Sequence, residues 1–378
     1  MRARLLLSVL LAGCAPAGPP PPSAPPPAEA RPERARADER AVVRLGVLLP
    51  AADDGYLRQY ADAVVDGVRV AVEERASDPR FRIELVSREG AAAAATRALA
   101  EAGAVAIIAP LAEAQVAAAA AARPDGSLPI ISPTAVAPFR QLSQVYALNV
   151  PDTLGAAALG EHAGRQGLAP AAVLRARDPA SLAQARAFTA AYTAAAGRAP
   201  LELSYAVGTT TFGPLLRRLK DARVAAIFVA AEERDIRQIL PQVEYYGLED
   251  TQLLATGSWA TPDGLERIGR GPLEGLLVTL PFLLEEGEGG WREFERAYEA
   301  QFRRRLQNPI PALGYDAARL ALAGLGRRGT AAEVAASLAA GGEVMAATGR
   351  LRTVPGAVLR RPIVVRVQGG ALLPVAPR

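Results

Sequence analysis

The chain is poor in the side chains that carry covalent and metal chemistry. Among 378 residues there is one cysteine, Cys14, and one histidine, His162. A single thiol excludes an intramolecular disulfide, and one imidazole beside it cannot complete a zinc-type ligand cluster. A nucleophile activated by His162 would need that residue at a strand end, whereas its surroundings, Thr153 to Gln166, read as a helix. A lone helical histidine is ordinarily a surface or interface group, so the expectation is a non-enzyme with no cofactor and no metal. Aromatic residues make up only 5%, and Lys220 is the sole lysine. Nearly every cation is arginine, which reads as compositional bias. The net charge is +4, and residues 1 to 41 hold six Arg against four acids, leaving +2 on the remainder. That near-neutral balance argues against a nucleic-acid partner. No run reaches the roughly 20 apolar residues of a membrane-spanning helix.

What is present begins at the N-terminus. Arg2 and Arg4 precede Leu5 to Leu11, an apolar run broken only by Ser8, and Leu11-Ala12-Gly13-Cys14 follows. The run is short enough for a signal segment. The tetrapeptide resembles the lipobox of bacterial lipoproteins, which implies removal of residues 1–13 and acylation of Cys14. Two or more acyl chains, at about 0.8 kcal/mol per buried methylene, give stable anchoring. An ordinary cleaved leader, or an apolar start with a structural cysteine, is the alternative. Ala15 stands where an Asp would retain a lipoprotein at the inner membrane, so the resemblance implies the outer one, facing the periplasm. Residues 14–41 then form a linker with Pro16 and a proline-rich run from Pro19 to Pro32. Such a segment favours extended polyproline geometry, with a reach on the order of 80 Å.

From Val42 onward, short apolar strands alternate with helices of ten to twenty residues. Val42–Leu49 ends at Pro50 and is followed by a helix from Tyr56 with Val64, Val68, Ala71 and Val72 at helical spacing. The rhythm runs to Asn149 and restarts at Ala171, and Ile363–Val367 and Leu372–Val375 close as a hairpin across Gly369-Gly370. This pattern predicts an α/β fold of two doubly wound parallel-sheet lobes, joined by several crossovers, with a cleft between them. The expected division is 42–150 plus about 283–345 for lobe 1, and about 151–282 plus 346–378 for lobe 2.

Ordered phrases add a resemblance. Ile131-Ser132-Pro133-Thr134-Ala135, Tyr245-Tyr246-Gly247-Leu248, Gly314-Tyr315-Asp316-Ala317, Thr348-Gly349-Arg350-Leu351 and Arg361-Pro362 together resemble the type I periplasmic binding fold of the leucine-binding protein family. The resemblance implies a substrate-binding protein of an ABC-type transporter, taking an amino-acid-like or related polar solute and delivering it to a permease. The stretch Gln252 to Trp259 is closer to lipoproteins labelled penicillin-binding protein activators. That likeness implies instead a regulator contacting a peptidoglycan synthase. Three departures count against a zwitterion site. The loop Pro110-Leu111-Ala112-Glu113-Ala114 has no hydroxyl, Val136 stands where a ligand-holding Thr is usual, and Asp178-Pro179-Ala180-Ser181-Leu182 replaces an Asp-x-x-Tyr-Gly phrase. A desolvated ammonium and carboxylate need convergent polar partners.

Fold position selects the candidate ligand-binding residues, all on loops leaving strands. In lobe 1 they are Asp53, Tyr56, Glu113, Ser132 and Thr134; in lobe 2, Arg177, Asp178, Glu232, Ser258 and Trp259. Four of them have a plainer reading. Asp53 with Asp54 is a solvated acidic loop, Ser132 and Thr134 cap the next element, and Trp259 packs between lobes rather than stacking on a ligand. Tyr315 and Asp316 are expected to be structural, with Asp316 early in a helix where negative charge is favoured. Gly287-Glu288-Gly289-Gly290 lacks the strand-to-helix setting of a phosphate loop.

Overall fold

The computed structural model describes residues 40–51, 55–136, 139–149, 152–257, 260, 262–281 and 290–375, with the side chains of 56, 262, 263, 270 and 272 left aside. Arg40–Arg378 form one compact unit. The chain runs β1 (Ala41–Leu49), α1 (Gly55–Glu73), β2 (Phe81–Glu89), α2 (Ala92–Glu101), β3 (Ala104–Ile108), α3 (Glu113–Ala121), β4 (Ile130–Ser132) and β5 (Val145–Ala147). It continues with α4 (Asp152–Arg165), β6 (Ala171–Ala176), α5 (Pro179–Ala196), β7 (Leu201–Tyr205), α6 (Gly213–Asp221), β8 (Ala226–Ala230), α7 (Glu233–Tyr245) and β9 (Gln252–Thr256). Two short helices, α8 (Pro262–Ile268) and α9 (Arg270–Leu273), precede β10 (Leu277–Leu280). Then come α10 (Trp291–Phe302), α11 (Ile310–Ala323), α12 (Ala331–Ala340), β11 (Glu343–Ala346), β12 (Gly349–Val354) and β13 (Gly356–Leu359), and last β14 (Ile363–Gln368) and β15 (Ala371–Pro374).

Two sheets result. One has eight strands in the order β11-β12-β13-β5-β4-β3-β1-β2, the other seven in the order β15-β14-β10-β9-β8-β6-β7. The pairings from β2 to β13 and from β7 to β10 are parallel, and the outer strands β11, β12, β14 and β15 add antiparallel edges. All five residues of β3 and of β8 are buried, as a parallel strand covered on both faces requires. Each sheet therefore carries two cores. In lobe 1 one face buries Val64, Val68 and Phe294 with most of α11, and the other buries Leu99 and Val116. In lobe 2 one face buries Phe188 and Tyr192, and the other Leu216, Ile236 and Ile239.

Glycine sets the closest helix contacts in both lobes. A Cβ at Gly67 on α1 would overlap the Pro311 carbonyl of α11, and one at Gly160 on α4 would overlap the Phe188 carbonyl of α5. The two-lobed, doubly wound architecture is as the alternating pattern predicts, but the lobe boundary at 345/346 is not. Strands β11 to β13 all belong to the first sheet, and β13 pairs in parallel with β5 (Gly356↔Tyr146, Ala357↔Ala147). Lobe 1 thus extends through Leu359. These strands were missed because β11 and β12 are half-exposed edges lacking a β-branched run.

The reason the chain stays on lobe 1 is a buried polar joint. Asp316 has no exposed surface, Thr348 is 7% exposed and Arg360 5%. Asp316 Oδ1 accepts from the Ala347 amide at 2.8 Å, and Oδ2 accepts from the Thr348 hydroxyl. Arg360 pairs with Oδ2 at 3.4 Å, donates from Nε to Thr348 Oγ1 at 2.7 Å and from Nη1 to the Leu148 carbonyl at 2.6 Å. Burial lowers the Arg360 pKa and raises that of Asp316, and their mutual attraction opposes both shifts. Asp316 is therefore structural, as expected, but not for the expected reason. Pro309 and Pro311 start α11 early, so Asp316 lies mid-helix and answers to these donors rather than to a helix N-terminus.

Candidate ligand-binding site

In an open doubly wound sheet, ligands bind beyond the carboxyl ends of the strands, at the point where strand order reverses. In lobe 1 that point lies between β1 and β3, because α1 packs on one face while α2 and α3 pack on the other. In lobe 2 it lies between β6 and β8, with α5 on one face and α6 and α7 on the other. Glu113, at the start of α3, belongs to the first crevice. Arg177 and Asp178, leaving β6, and Glu232, leaving β8, flank the second. The topology thus brings three of the five lobe 2 candidates to one crevice.

The lobe 1 hydroxyls are there but already engaged. Ser132 is fully buried at the end of β4, and its Oγ accepts from the Ala135 amide at 3.1 Å. Thr134 Oγ1 donates to the Leu111 carbonyl at 2.6 Å, which uses its only proton. The 3.2 Å contact between the two hydroxyls must therefore be donated by Ser132. Asn149 Nδ2 closes the set on the Thr134 carbonyl at 2.7 Å. These bonds stitch together the loops after β3, β4 and β5. They leave neither hydroxyl a proton to donate, while each oxygen keeps lone-pair capacity to accept one.

In lobe 2, Asp178 is the N-cap of α5 and accepts from the Ser181 amide at 2.9 Å. Burial opposes its ionisation, yet hydrogen bonds from Ser181 and Ala180 and the charge of Arg175 outweigh this, and its carboxyl is held below the usual range. Arg177 and Glu232 are exposed, and Glu232 precedes α7 without a side-chain capping bond. Glu113 is also exposed, in the first turn of α3. Asp53, Ser258, Trp259 and Cys14 lie outside the described residues. Tyr56 falls within α1, with its side chain outside the description.

Two polar groups at the same edge were not singled out from sequence. Tyr205, the last residue of β7, donates to Asp235 Oδ2 at 3.0 Å, and Arg234 Nε approaches Asp235 Oδ1 at 3.3 Å. Both Tyr205 and Asp235 are at most 3% exposed. Burial first, and the Asp235 charge second, raise the Tyr205 pKa, so it stays a neutral donor. Further along the same edge, Thr256 Oγ1 at the end of β9 donates to Gln184 Oε1 at 3.1 Å, and Gln184 Nε2 reaches Asp152 Oδ2 at 3.4 Å. An acid in the first turn after a buried strand was visible in the sequence; its pairing with a tyrosine thirty residues earlier was not. Among the described residues no cluster of three or more His, Cys, Asp or Glu could hold a metal ion.

Two doubly wound lobes whose strand ends carry polar loops define a two-lobed binding protein of the type I periplasmic class. The chain belongs to the periplasmic binding protein family, whose model matches residues 42–370. Solved structures share the fold. A Rhodospirillum rubrum protein assigned to a branched-chain amino acid ABC transporter aligns with a TM-score of 0.76 at 19% identity, covering 89% of this chain and 100% of that one. A Desulfitobacterium hafniense ABC transporter substrate-binding protein complexed with leucine gives 0.64 at 20% identity over 89% and 100%. A solute-binding protein of an R. palustris ABC transporter, complexed with 4-hydroxybenzoate, gives 0.60 at 17% over 89% and 96%. No curated protein sequence matches.

Proposed function

We propose that this protein captures a small organic solute between its lobes and presents it to an ABC-type permease. The observation that carries this reading is the strand-order reversal of lobe 2, which brings the exposed Arg177 and Glu232 to one crevice with Asp178. Doubly wound folds hold ligands at such reversals, and binding sites place a few polar groups in otherwise apolar crevices. Structural neighbours that hold leucine or 4-hydroxybenzoate support a solute of that size. Closure of the lobes follows from preferential binding to the closed form. The test is a thermal-shift screen of the purified protein with amino acids, amides, aromatic acids and cell-wall fragments. A ligand at 100 times its dissociation constant adds about 2.7 kcal/mol. No shift with any solute sinks the reading.

A regulatory role at a peptidoglycan synthase is the second reading. It is favoured by the proline-rich segment before Val42 and by the lobe 1 hydroxyls spent within their own loops. A synthase that co-purifies, with no solute effect, would establish it. In both readings Cys14 carries the lipid and the body faces the periplasm, anchored to the outer membrane where there are two. Labelling with a fatty acid should be lost in Cys14→Ala; equal labelling of the variant overturns the anchor.

A further inference from the structure

The amino ends of the parallel strands in lobe 1 form a pole opposite the carboxyl edge at which doubly wound sheets hold ligands. Arginine is concentrated there. Asp78 pairs with both Arg80, at 2.9 Å, and Arg75, at 3.6 Å. Glu84 on β2 likewise pairs with both Arg82, at 2.8 Å, and Arg44, at 3.4 Å. Each carboxylate thus answers two guanidinia and leaves one positive charge uncompensated. Arg80 also lies over the Phe81 ring, 4.9 Å from its centroid. Gly329 meets the same ring: a Cβ there would come within 2.8 Å of Phe81 and 2.7 Å of Val43. That contact sets the loop between α11 and α12 against the amino ends of β1 and β2 and brings Arg327 and Arg328 to the pole. Both are exposed, and neither side chain forms an ion pair among the described residues.

The other acids at this end leave arginine in excess. Glu333 accepts from the Arg328 and Thr330 amides. Glu74 is shared by Tyr315 and Arg319, and Glu101 lies one helical turn from Arg97 on α2. Glu73 is exposed at the end of α1. The chain also enters the folded body at this pole. Arg40 Nη1 donates to the Ala76 carbonyl at 2.6 Å, and the Ala41 amide donates to the Arg80 carbonyl at 3.1 Å. A tether from a lipidated Cys14 therefore ends here, at the face that carries the excess charge. A surface held near its target by a tether meets it at a raised effective concentration, so weak attraction suffices. An anionic leaflet strengthens the binding of each nearby arginine by roughly five-fold, within a Debye length of its surface.

We propose that this pole docks on the anionic phospholipid surface of the anchoring bilayer, with the exposed Arg327 and Arg328 at its centre. The step rests on the anchor reading for its choice of occupant and is separate from the solute site. Docking turns the carboxyl edge of lobe 1, and lobe 2 beyond it, away from the membrane. The experiment uses residues 40–378, the compact unit that holds every strand of both sheets and their cores, so that neither lipid nor leader contributes. Its co-sedimentation with vesicles of phosphatidylcholine alone is compared with that on vesicles containing phosphatidylglycerol. Binding to the anionic vesicles should be at least ~10-fold stronger and should fall as salt rises. Arg327→Gln/Arg328→Gln should lower it ~10-fold or more. Arg218→Gln/Arg223→Gln removes the same charge from exposed, unpaired positions at and just beyond the end of α6 in lobe 2, and should change it by less than ~2-fold. Equal loss in the two double variants overturns the proposal, because net charge and not this face would then govern. Equal binding to both kinds of vesicle overturns it too, as does sedimentation with purified wall sacculi in place of vesicles, which would make a wall polymer the occupant. Fatty-acid labelling at Cys14 and the solute screen have their own readouts, so a failure here leaves both of those readings standing.

Discussion

Arg360→Met removes the cation from the joint that Asp316, Thr348 and Leu148 share. The methionine fills much of the same volume but donates nothing. Three bonds go at once: to Asp316 Oδ2, to Thr348 Oγ1 at 2.7 Å and to the Leu148 carbonyl at 2.6 Å. Asp316 keeps the Ala347 amide and the Thr348 hydroxyl but loses its counter-charge in a site with no exposed surface. Breaking a buried pair from one side costs about 3–5 kcal/mol. An orphaned buried carbonyl such as that of Leu148 costs about 1–3 kcal/mol within the same perturbation. Urea unfolding of Arg360→Met should therefore show a loss of at least about 3 kcal/mol. Asp316→Asn should lose a similar amount, because it leaves Arg360 uncompensated while preserving the acceptor for Ala347. The double variant Asp316→Leu/Arg360→Met is also informative. It removes both charges but strands the Ala347 amide and the Leu148 carbonyl, so it recovers only part of the loss. A midpoint for Arg360→Met within about 0.5 kcal/mol of the parent, the usual range of a neutral surface change, would refute the reasoning.

Other expected outcomes follow from single contacts. Gly67→Ala and Gly160→Ala each press a methyl into the backbone of a facing helix, at α11 and α5, and should each cost about 1–3 kcal/mol or more by urea unfolding; unchanged midpoints would contradict the close approach. His162 is half-buried on α4, and burial first, with Arg366 second, holds its imidazole below the ordinary value of 6.5. The unfolded chain takes up that proton at higher pH than the folded one, so its contribution to stability is full above about 6.5, falls as pH drops and levels off below the folded value. The melting temperature should fall between pH 7.5 and 5.5, and less so in His162→Gln; parallel curves would count against it. Tyr205→Phe withdraws a buried donor from Asp235 and should cost about 1–3 kcal/mol, while a neutral result would show that water or Arg234 replaces the phenol.

Much of the architecture was legible because parallel sheets write a strong signal. Strands such as Ala104–Ile108 and Ala226–Ala230 are buried throughout and stand out between helices as short apolar runs. The final strands of lobe 1 were not legible. β12, Gly-Arg-Leu-Arg-Thr-Val, alternates between core and solvent, and what places it in lobe 1 is pairing with β13 and Asp316, both remote in sequence. The site shows the same division. The rhythm of elements put Arg177, Asp178 and Glu232 on loops leaving lobe 2 strands, and the strand order of the fold sets those loops at one crevice. The rhythm could not say that the Thr134 proton goes to Leu111, because that bond spans 23 residues and exists only once β3 and β4 lie side by side.

The Arg360 joint also limits how the lobes can move. The chain passes between lobes three times, after β5, after β10 and after β13. Two of these passages are pinned on the lobe 1 side by the same cluster: Leu148 through its carbonyl, and residue 360 through its own side chain. Asn149 is held as well, by its bond to the Thr134 carbonyl. On the last passage, rotation of lobe 2 must be taken up between Arg360 and β14. There Pro362 fixes its own φ and restricts Arg361 before it. Few backbone dihedrals remain in that interval, which favours a hinge of narrow direction over a loose tether there. A hinge of fixed direction would bring the same two strand-end edges together each time.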